Sequence, residues 1–267
     1  VPEVVEDAQV FTQLGDVWLC GRHRVMCGDS TSKDQIGRLL TGCPSILMTD
    51  PPYGVSLDQS WRDSALGHKK GGKGNPLKVL NDDIADWTEA WKLFPGNVAY
   101  IWHASKFADV VMNSLRNASF EICQQIIWNK SVLVMGRCDY HFKHEPCWYA
   151  IRKGKTHNWI GDRSQSTVID AASPNQITSG SKEDKTEHPT QKPLLCMTSL
   201  IQNHSGDVFD PFLGSGTTLI ACERLNRICY GCELEPRYVD VICRHYHKET
   251  GIVPTLEATG EPFPIAG

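Results

Sequence analysis

Near the end of the chain, Asp207-Val208-Phe209-Asp210 runs into Pro211-Phe212-Leu213-Gly214-Ser215-Gly216 and then Thr217-Thr218-Leu219-Ile220-Ala221. This reads as a buried strand, a glycine turn and a helix start, an order of elements that commits a chain to parallel strands with crossover helices. The rest of the sequence keeps the same rhythm. Short apolar runs are expected as strands at residues 24–27, 45–49, 97–102, 122–128, 147–151, 207–209 and 228–232, and helices at 33–40, 105–116, 193–203, 217–225 and 236–250. A chain of 267 residues, 40% of them hydrophobic, can bury one substantial core. The fold class expected is therefore α/β.

The glycine turn has the chemistry of a cofactor cradle, because glycine lets the backbone approach a ligand and a helix N-terminus offers unpaired N–H groups. Seventeen residues beyond Gly216, Glu233 ends the next apolar run. A carboxylate there can accept hydrogen bonds from both ribose hydroxyls of an adenosine cofactor. A phosphate-binding loop would need Lys after the last glycine, and a nicotinamide fingerprint would need a small residue where Leu219 stands. An ordinary glycine-containing turn is the remaining alternative.

A second motif narrows the choice. Ser45-Ile46-Leu47-Met48-Thr49 has a buried-strand pattern and runs straight into Asp50-Pro51-Pro52-Tyr53-Gly54. That places the motif at a strand's carboxyl end, where ligands bind in open α/β sheets. The exocyclic amine of adenine or cytosine is a poor nucleophile, since its lone pair is delocalised into the ring. A carboxylate on one amine hydrogen and a carbonyl on the other would draw the nitrogen towards tetrahedral geometry and stabilise its developing charge. Asp50 offers the carboxylate. Pro51 and Pro52 fix φ and stiffen the turn, aiming the Pro51 carbonyl, and Tyr53 offers a flat face for an extruded base.

With these residues in place, the chain resembles the amino-methylating DNA methyltransferases over about residues 14–250, and its catalytic-first motif order resembles their beta group. The resemblance implies a Rossmann-like S-adenosylmethionine-dependent methyltransferase fold, with a seven-stranded, mostly parallel sheet, helices on both faces and circularly permuted motifs. It implies S-adenosyl-L-methionine as cofactor and double-stranded DNA as partner. The cofactor residues would be Asp29 at the adenine, Glu233 at the ribose, and Asp210, Pro211, Phe212, Gly214, Ser215, Gly216 and Thr217 around the turn. Glu187-His188-Pro189-Thr190-Gln191-Lys192-Pro193 resembles the family segment at the methionine end, through Thr190, Lys192 and Pro193. His144-Glu145-Pro146 resembles a segment lining the target-base pocket. The family's preference for Asp before Pro-Pro-Tyr in adenine enzymes favours N6 of adenine, with the cytosine N4 amine as the alternative.

Domain organisation follows from the same reading. Residues 1–151 are expected to form the catalytic half, 152–186 a target-recognition insert, 187–250 the cofactor half and 251–267 a tail. Residues 55–80 read as a basic, glycine-rich loop that closes over DNA or cofactor. The net charge of −4 excludes a generally basic surface, so DNA would need a local cationic face. Lys69, Lys70, Lys73, Arg152, Lys153 and Lys155 are the residues expected to form it.

Eleven cysteines without framework spacing read as reduced thiols in a cytoplasmic protein. Cys229 and Cys232 with Cys243, His245 and His247 invite a zinc reading, but a strand would point the first two to opposite faces, and no metal is expected. Pro146-Cys147 is reminiscent of enzymes that methylate carbon 5 of cytosine, which do not use Asp-Pro-Pro-Tyr. No apolar run reaches the length of a membrane span. The start is acidic where a signal peptide would be basic, and begins with Val, as a stretch cut or trimmed from a longer chain would. Beta-group resemblance makes a homodimer an expectation, whereas a restriction enzyme partner cannot be read. A catalytically silent DNA-binding subunit is the main competing function.

Overall fold

A computed structural model of the protein describes residues 9–54, 83–135, 139–172 and 192–265. The strands are β1 (Val17–Cys20), β2 (His23–Cys27), β3 (Ile46–Thr49), β4 (Val98–Trp102), β5 (Phe120–Val134), β6 (Phe142–Arg152), β7 (Val168–Ala171), β8 (Val208–Asp210), β9 (Cys229–Glu233) and β10 (Thr255–Leu256). The helices are α1 (Lys33–Leu39), α2 (Thr88–Leu93), α3 (Ala108–Asn117), α4 (Leu194–Ile201), α5 (Thr217–Arg224) and α6 (Pro236–Thr250). All ten described strands join one sheet in the order β10-β1-β2-β9-β8-β3-β4-β6-β5-β7. β1 and β6 run against the other eight.

Where seven strands were expected, the described residues hold ten. β1 and β10 extend one edge, and β7 pairs parallel with β5 at the other. All three are only two to four residues long, below what periodicity can register. β5 and β6 also outrun their apolar cores, because antiparallel pairing satisfies backbone groups whatever the side chains. Residues 251–267, expected as a tail, supply β10 and the buried Phe263, whose ring meets Trp18 edge-on at 5.1 Å.

Two cores cover the sheet, and the period of two along a strand divides side chains between them. Val98, Tyr100 and Trp102 of β4 face α4, α5 and α6, whereas Ala99 and Ile101 face the core of α1, α2 and α3. Helix ends follow local rules. The Glu235 side chain caps α6 ahead of Pro236, and Gly251 ends it with φ of 75°.

The chain leaves β3 for β4 on one side and β8 for β9 on the other, so the strand order reverses between β3 and β8. A crevice opens at such a reversal, beyond the carboxyl ends of the strands. The residues after Thr49 and after Asp210 both lie there.

Arg152 ends β6 at the opposite end of the sheet. Its guanidinium lies 4.4 Å from the Phe120 ring centre and donates to the carbonyls of Gly96 (2.8 Å), Ala118 (3.3 Å) and Phe94 (2.6 Å). Lys153 and Lys155 follow it, exposed at that same end. These three therefore do not share a face with the crevice, and Arg152 ties loops together. Arg152→Ala is expected to lower unfolding stability by about 3 kcal/mol, three lost bonds at roughly 1 kcal/mol each, in chemical denaturation, and to leave DNA affinity unchanged.

Candidate active site

Asp50 follows β3 directly, and its turn is fixed from two sides. The Trp87 indole donates to the Pro52 carbonyl at 3.2 Å. Thr49, fully buried, donates its hydroxyl to Asp210 Oδ1 at 2.6 Å, joining the last residue of β3 to the last of β8. The same Asp210 oxygen accepts the Phe212 N–H at 3.0 Å. The two turns singled out in sequence, 160 residues apart between Asp50 and Asp210, are thereby fastened side by side.

On the cofactor side, Gly214 has φ of 55° and Gly216 of 86°, left-handed values that favour glycine. A Cβ on Gly216 would also press on Ile242 at 3.2 Å. Glu233 ends β9 and accepts from the Gly214 N–H and the Glu235 N–H, both at 2.9 Å, one on each carboxylate oxygen. Asp29, exposed just beyond β2, follows Gly28, whose N–H donates to the Glu233 backbone carbonyl at 2.9 Å. The Phe212 ring packs on Trp87 at 4.6 Å and Trp91 at 6.0 Å. Pro211, Ser215 and Thr217 are buried in the turn, and the Ser215 carbonyl lies 3.2 Å from His245 Nδ1. The donor set suits an adenosine-type ligand: two carboxylates for hydroxyl or ammonium groups, an exposed acid, an aromatic ring and a close-approaching glycine backbone.

Lys192 precedes α4 and is buried, with 3% of its surface exposed. Its ammonium donates to Asp50 Oδ2 at 2.6 Å and to the Tyr53 hydroxyl at 2.8 Å, and pairs with Glu145 Oε2 at 2.8 Å. Tyr53 donates to Asp50 Oδ1. Glu145 Oε1 in turn accepts from Lys130 at 2.5 Å. The Lys192 contacts all lie on the Asp50 side of the crevice. Pro193 begins α4 beside it, whereas Thr190 lies outside the described residues, as do Lys69, Lys70, Lys73 and residues 173–186.

Burial dominates the electrostatics. It raises Asp50 above the ordinary carboxylate range against the pull of Lys192. Burial would lower Lys192, but Asp50 and Glu145 outweigh it and raise the ammonium. For Glu145 burial acts upward, yet Lys192 and Lys130 together hold it below its usual value. Burial pushes Asp210 up to about 6 and Glu233 up to about 7.

Thr49, Trp87, Trp102, Lys130 and the linking role of Glu145 were not legible from motifs. Lys130 lies in a strand extension without periodic signal, and Trp87 reads as an ordinary core residue. The cysteine pattern also resolves: Cys229 lies against Cys222, while Cys232 Sγ lies 3.3 Å from the Gly28 carbonyl.

An open, mainly parallel sheet with a glycine turn and a proline-stiffened carboxylate at adjoining strand ends defines a Rossmann-like methyltransferase fold. Solved structures of that class match it: an M1.HpyAVI–SAM complex at a TM-score of 0.55 and 22% identity, covering 83% of this chain and 98% of that one. The cytosine-N4-specific PvuII DNA methyltransferase matches at 0.56 and 16% identity, covering 83% and 85%. The model of the N6/N4 DNA methylase family matches residues 45–244, and the chain belongs to that family. The type II methyltransferase M.HindIII of Haemophilus influenzae is 26% identical over 77% of this chain and 89% of its own length. M2.MboI of Moraxella bovis is 26% identical over 78% and 82%.

Because the folded protein holds the Asp210 and Glu233 protons longer than the unfolded chain does, their contribution to stability is full below 3.8 and 4.5 and is lost as pH rises through about 6 and about 7. Buried His103, His204 and His245, each held down to about 4, act with the opposite sign, so the acids are read by difference: in thermal denaturation without ligand, the Tm of Glu233→Gln is expected to rise relative to wild type from about pH 5 to about pH 8. A Tm difference between Glu233→Gln and wild type that stays constant over this range would contradict the burial of Glu233.

Proposed function

We propose that this DNA methyltransferase methylates N6 of adenine in double-stranded DNA, with the base extruded from the helix and the methyl moved directly from S-adenosylmethionine. The observation that carries the reading is the Thr49–Asp210 bond, which sets the Asp50 turn against the glycine turn. One crevice then serves both the methyl donor and the amine.

The cofactor supplies an electrophilic methyl group on a sulfonium. Glu233 holds the ribose hydroxyls with the lone pairs left free by Gly214 and Glu235. Asp210 would hold the methionine end of the cofactor, and Phe212 and Asp29 would hold its adenine. Asp50 accepts one hydrogen of the target amine and the Pro51 carbonyl the other, which localises the nitrogen lone pair and steadies the charge formed on attack. Tyr53 releases Asp50 Oδ1 to the amine and stacks on the base. Of residues 152–186, those beyond Lys155 carry target recognition.

Asp50→Ala is expected to abolish methyl transfer while S-adenosylmethionine affinity stays within roughly tenfold, because the lost interaction forms mainly in the transition state. Retained activity would defeat the mechanism, and radiolabel transfer to DNA also separates an enzyme from a silent DNA-binding subunit. Glu233→Ala is expected instead to weaken cofactor binding in calorimetry, since its contact exists in the ground state. Nucleoside mass spectrometry of treated, methylation-free DNA is expected to give N6-methyladenine. N4-methylcytosine alone would move the specificity to cytosine and leave the Asp50 chemistry in place.

A further inference from the structure

The site holds more ionic machinery than binding one cofactor and one amine requires. Lys192 is enclosed by three acceptors, the Asp50 carboxylate, the Tyr53 hydroxyl and the Glu145 carboxylate, all within 2.8 Å. Its ammonium also lies 5.2 Å from the Tyr53 ring centre and 5.6 Å from that of Trp102, so two aromatic faces close the remaining directions. Glu145 reaches it from β6 and is anchored at its other oxygen by Lys130 of β5, whose side chain is 9% exposed. Lys130, Glu145, Lys192 and Asp50 form a row of alternating charges that starts on the β5–β6 hairpin and ends at the acceptor.

We propose that Glu145, anchored by Lys130, is a positioning residue that acts through Lys192 to orient Asp50 and to set its strength as a hydrogen-bond acceptor. This rests on the reading that Asp50 takes the target amine. A carboxylate bound to an unshared ammonium is a weak acceptor, because the cation draws its charge; a buried carboxylate without a cation takes up a proton and stops accepting. Glu145 divides the Lys192 charge and holds Asp50 between these limits. Lys192 fixes Oδ2, so Oδ1 is the oxygen offered to the amine once Tyr53 turns away. The position expected to hold the methionine end of the cofactor is thus assigned to the acceptor.

The neighbours allow the sign of each substitution to be worked out. Asp50 is faced by Lys192, Glu145 and Tyr53, and by Asp210 from β8; Lys192 also acts on His103, and Cys147 is buried beside Asp50 and Lys192. Removing the Glu145 charge leaves Lys192 wholly to Asp50, whose proton then departs at lower pH. Removing the Lys192 charge leaves burial unopposed, and the proton departs at higher pH. Removing Lys130 lets Glu145 draw Lys192 away, again raising the Asp50 value.

The test is steady-state methyl transfer to duplex DNA as a function of pH, with S-adenosylmethionine affinity from calorimetry. Glu145→Gln is expected to lower kcat by roughly tenfold or more, to keep both KM values within roughly threefold, and to move the acid limb of kcat to lower pH. Lys192→Met is expected to move the limb to higher pH, and Lys192→Arg, which keeps the charge, to bring it back towards the wild-type position. Should Glu145→Gln show no cooperative melt, Lys130→Met takes its place, with an upward shift expected. Variants that leave the acid limb unmoved overturn the proposal, as does loss of cofactor affinity as the sole effect. A wild-type chain that methylates no DNA defeats the functional reading and the relay with it, whereas an active wild type with unmoved variants defeats the relay alone.

Discussion

A hydroxyl–carboxylate bond in the middle of the sheet holds the site together. Thr49 and Asp210 are the terminal residues of neighbouring strands, buried to 0% and 2% exposure, and their bond closes the gap where the strand order reverses. Parallel pairing at this junction registers only Ile46 with Val208 and Leu47 with Phe209. Beyond Phe209 the backbone register ends, and the side-chain bond continues where the ladder stops. A charge-assisted bond in such a place is worth about 1.5–3 kcal/mol, comparable to several exposed ion pairs. The same carboxylate oxygen also accepts the Phe212 N–H, so one buried acceptor fastens both the neighbouring strand and the start of the glycine turn.

The buried charges on either side of that bond are handled differently. Asp210 and Glu233 are satisfied by hydroxyl and backbone N–H donors and are raised by burial, so each retains a readiness to accept from a ligand. Asp50 and Glu145 are compensated by whole cations, Lys192 and Lys130. Dipoles suffice to hold groups that bind a polar ligand in its ground state. A group that must answer to charge developing on a nucleophile needs a fixed counter-charge, which does not reorganise during the reaction.

The parts of this arrangement legible in sequence are those where one residue type has one physical use at a given position. Gly214 and Gly216 announce left-handed backbone, Pro51 and Pro52 a stiff turn, and Glu233 an acid at a strand end beside the glycine turn. The helix Pro236–Thr250 is legible to the residue because Pro236 and Gly251 mark both ends. Thr49 is a different case: on a buried strand it reads as one more β-branched residue, and only the neighbour across the sheet makes it a hinge of the site. Lys130 and Glu145 meet through the register of two long antiparallel strands, where Asn129 opposes His144, and register is set by the whole hairpin rather than by either segment. The place of Arg152 is illegible for a related reason. Sequence shows a cation beside two lysines, but not that the strand carrying it runs backwards and delivers it to the far end of the sheet.

The permuted order of the two halves has a consequence for how the chain is made. β2 has β9 as its parallel neighbour, and β3 has β8, pairings that span roughly 160 to 200 residues of chain. Contacts of such separation are slow to form, because the intervening loop must be closed before any burial rewards it. A nascent chain that has released β1 to β4 therefore carries two apolar strands whose partners are not yet synthesised. The centre of the sheet is assembled last. Until β8 and β9 emerge, Ile46, Leu47 and Met48 on one strand and Val25 and Met26 on the other present open edges to the cell, so the species most prone to aggregate is the ribosome-bound one rather than the finished enzyme.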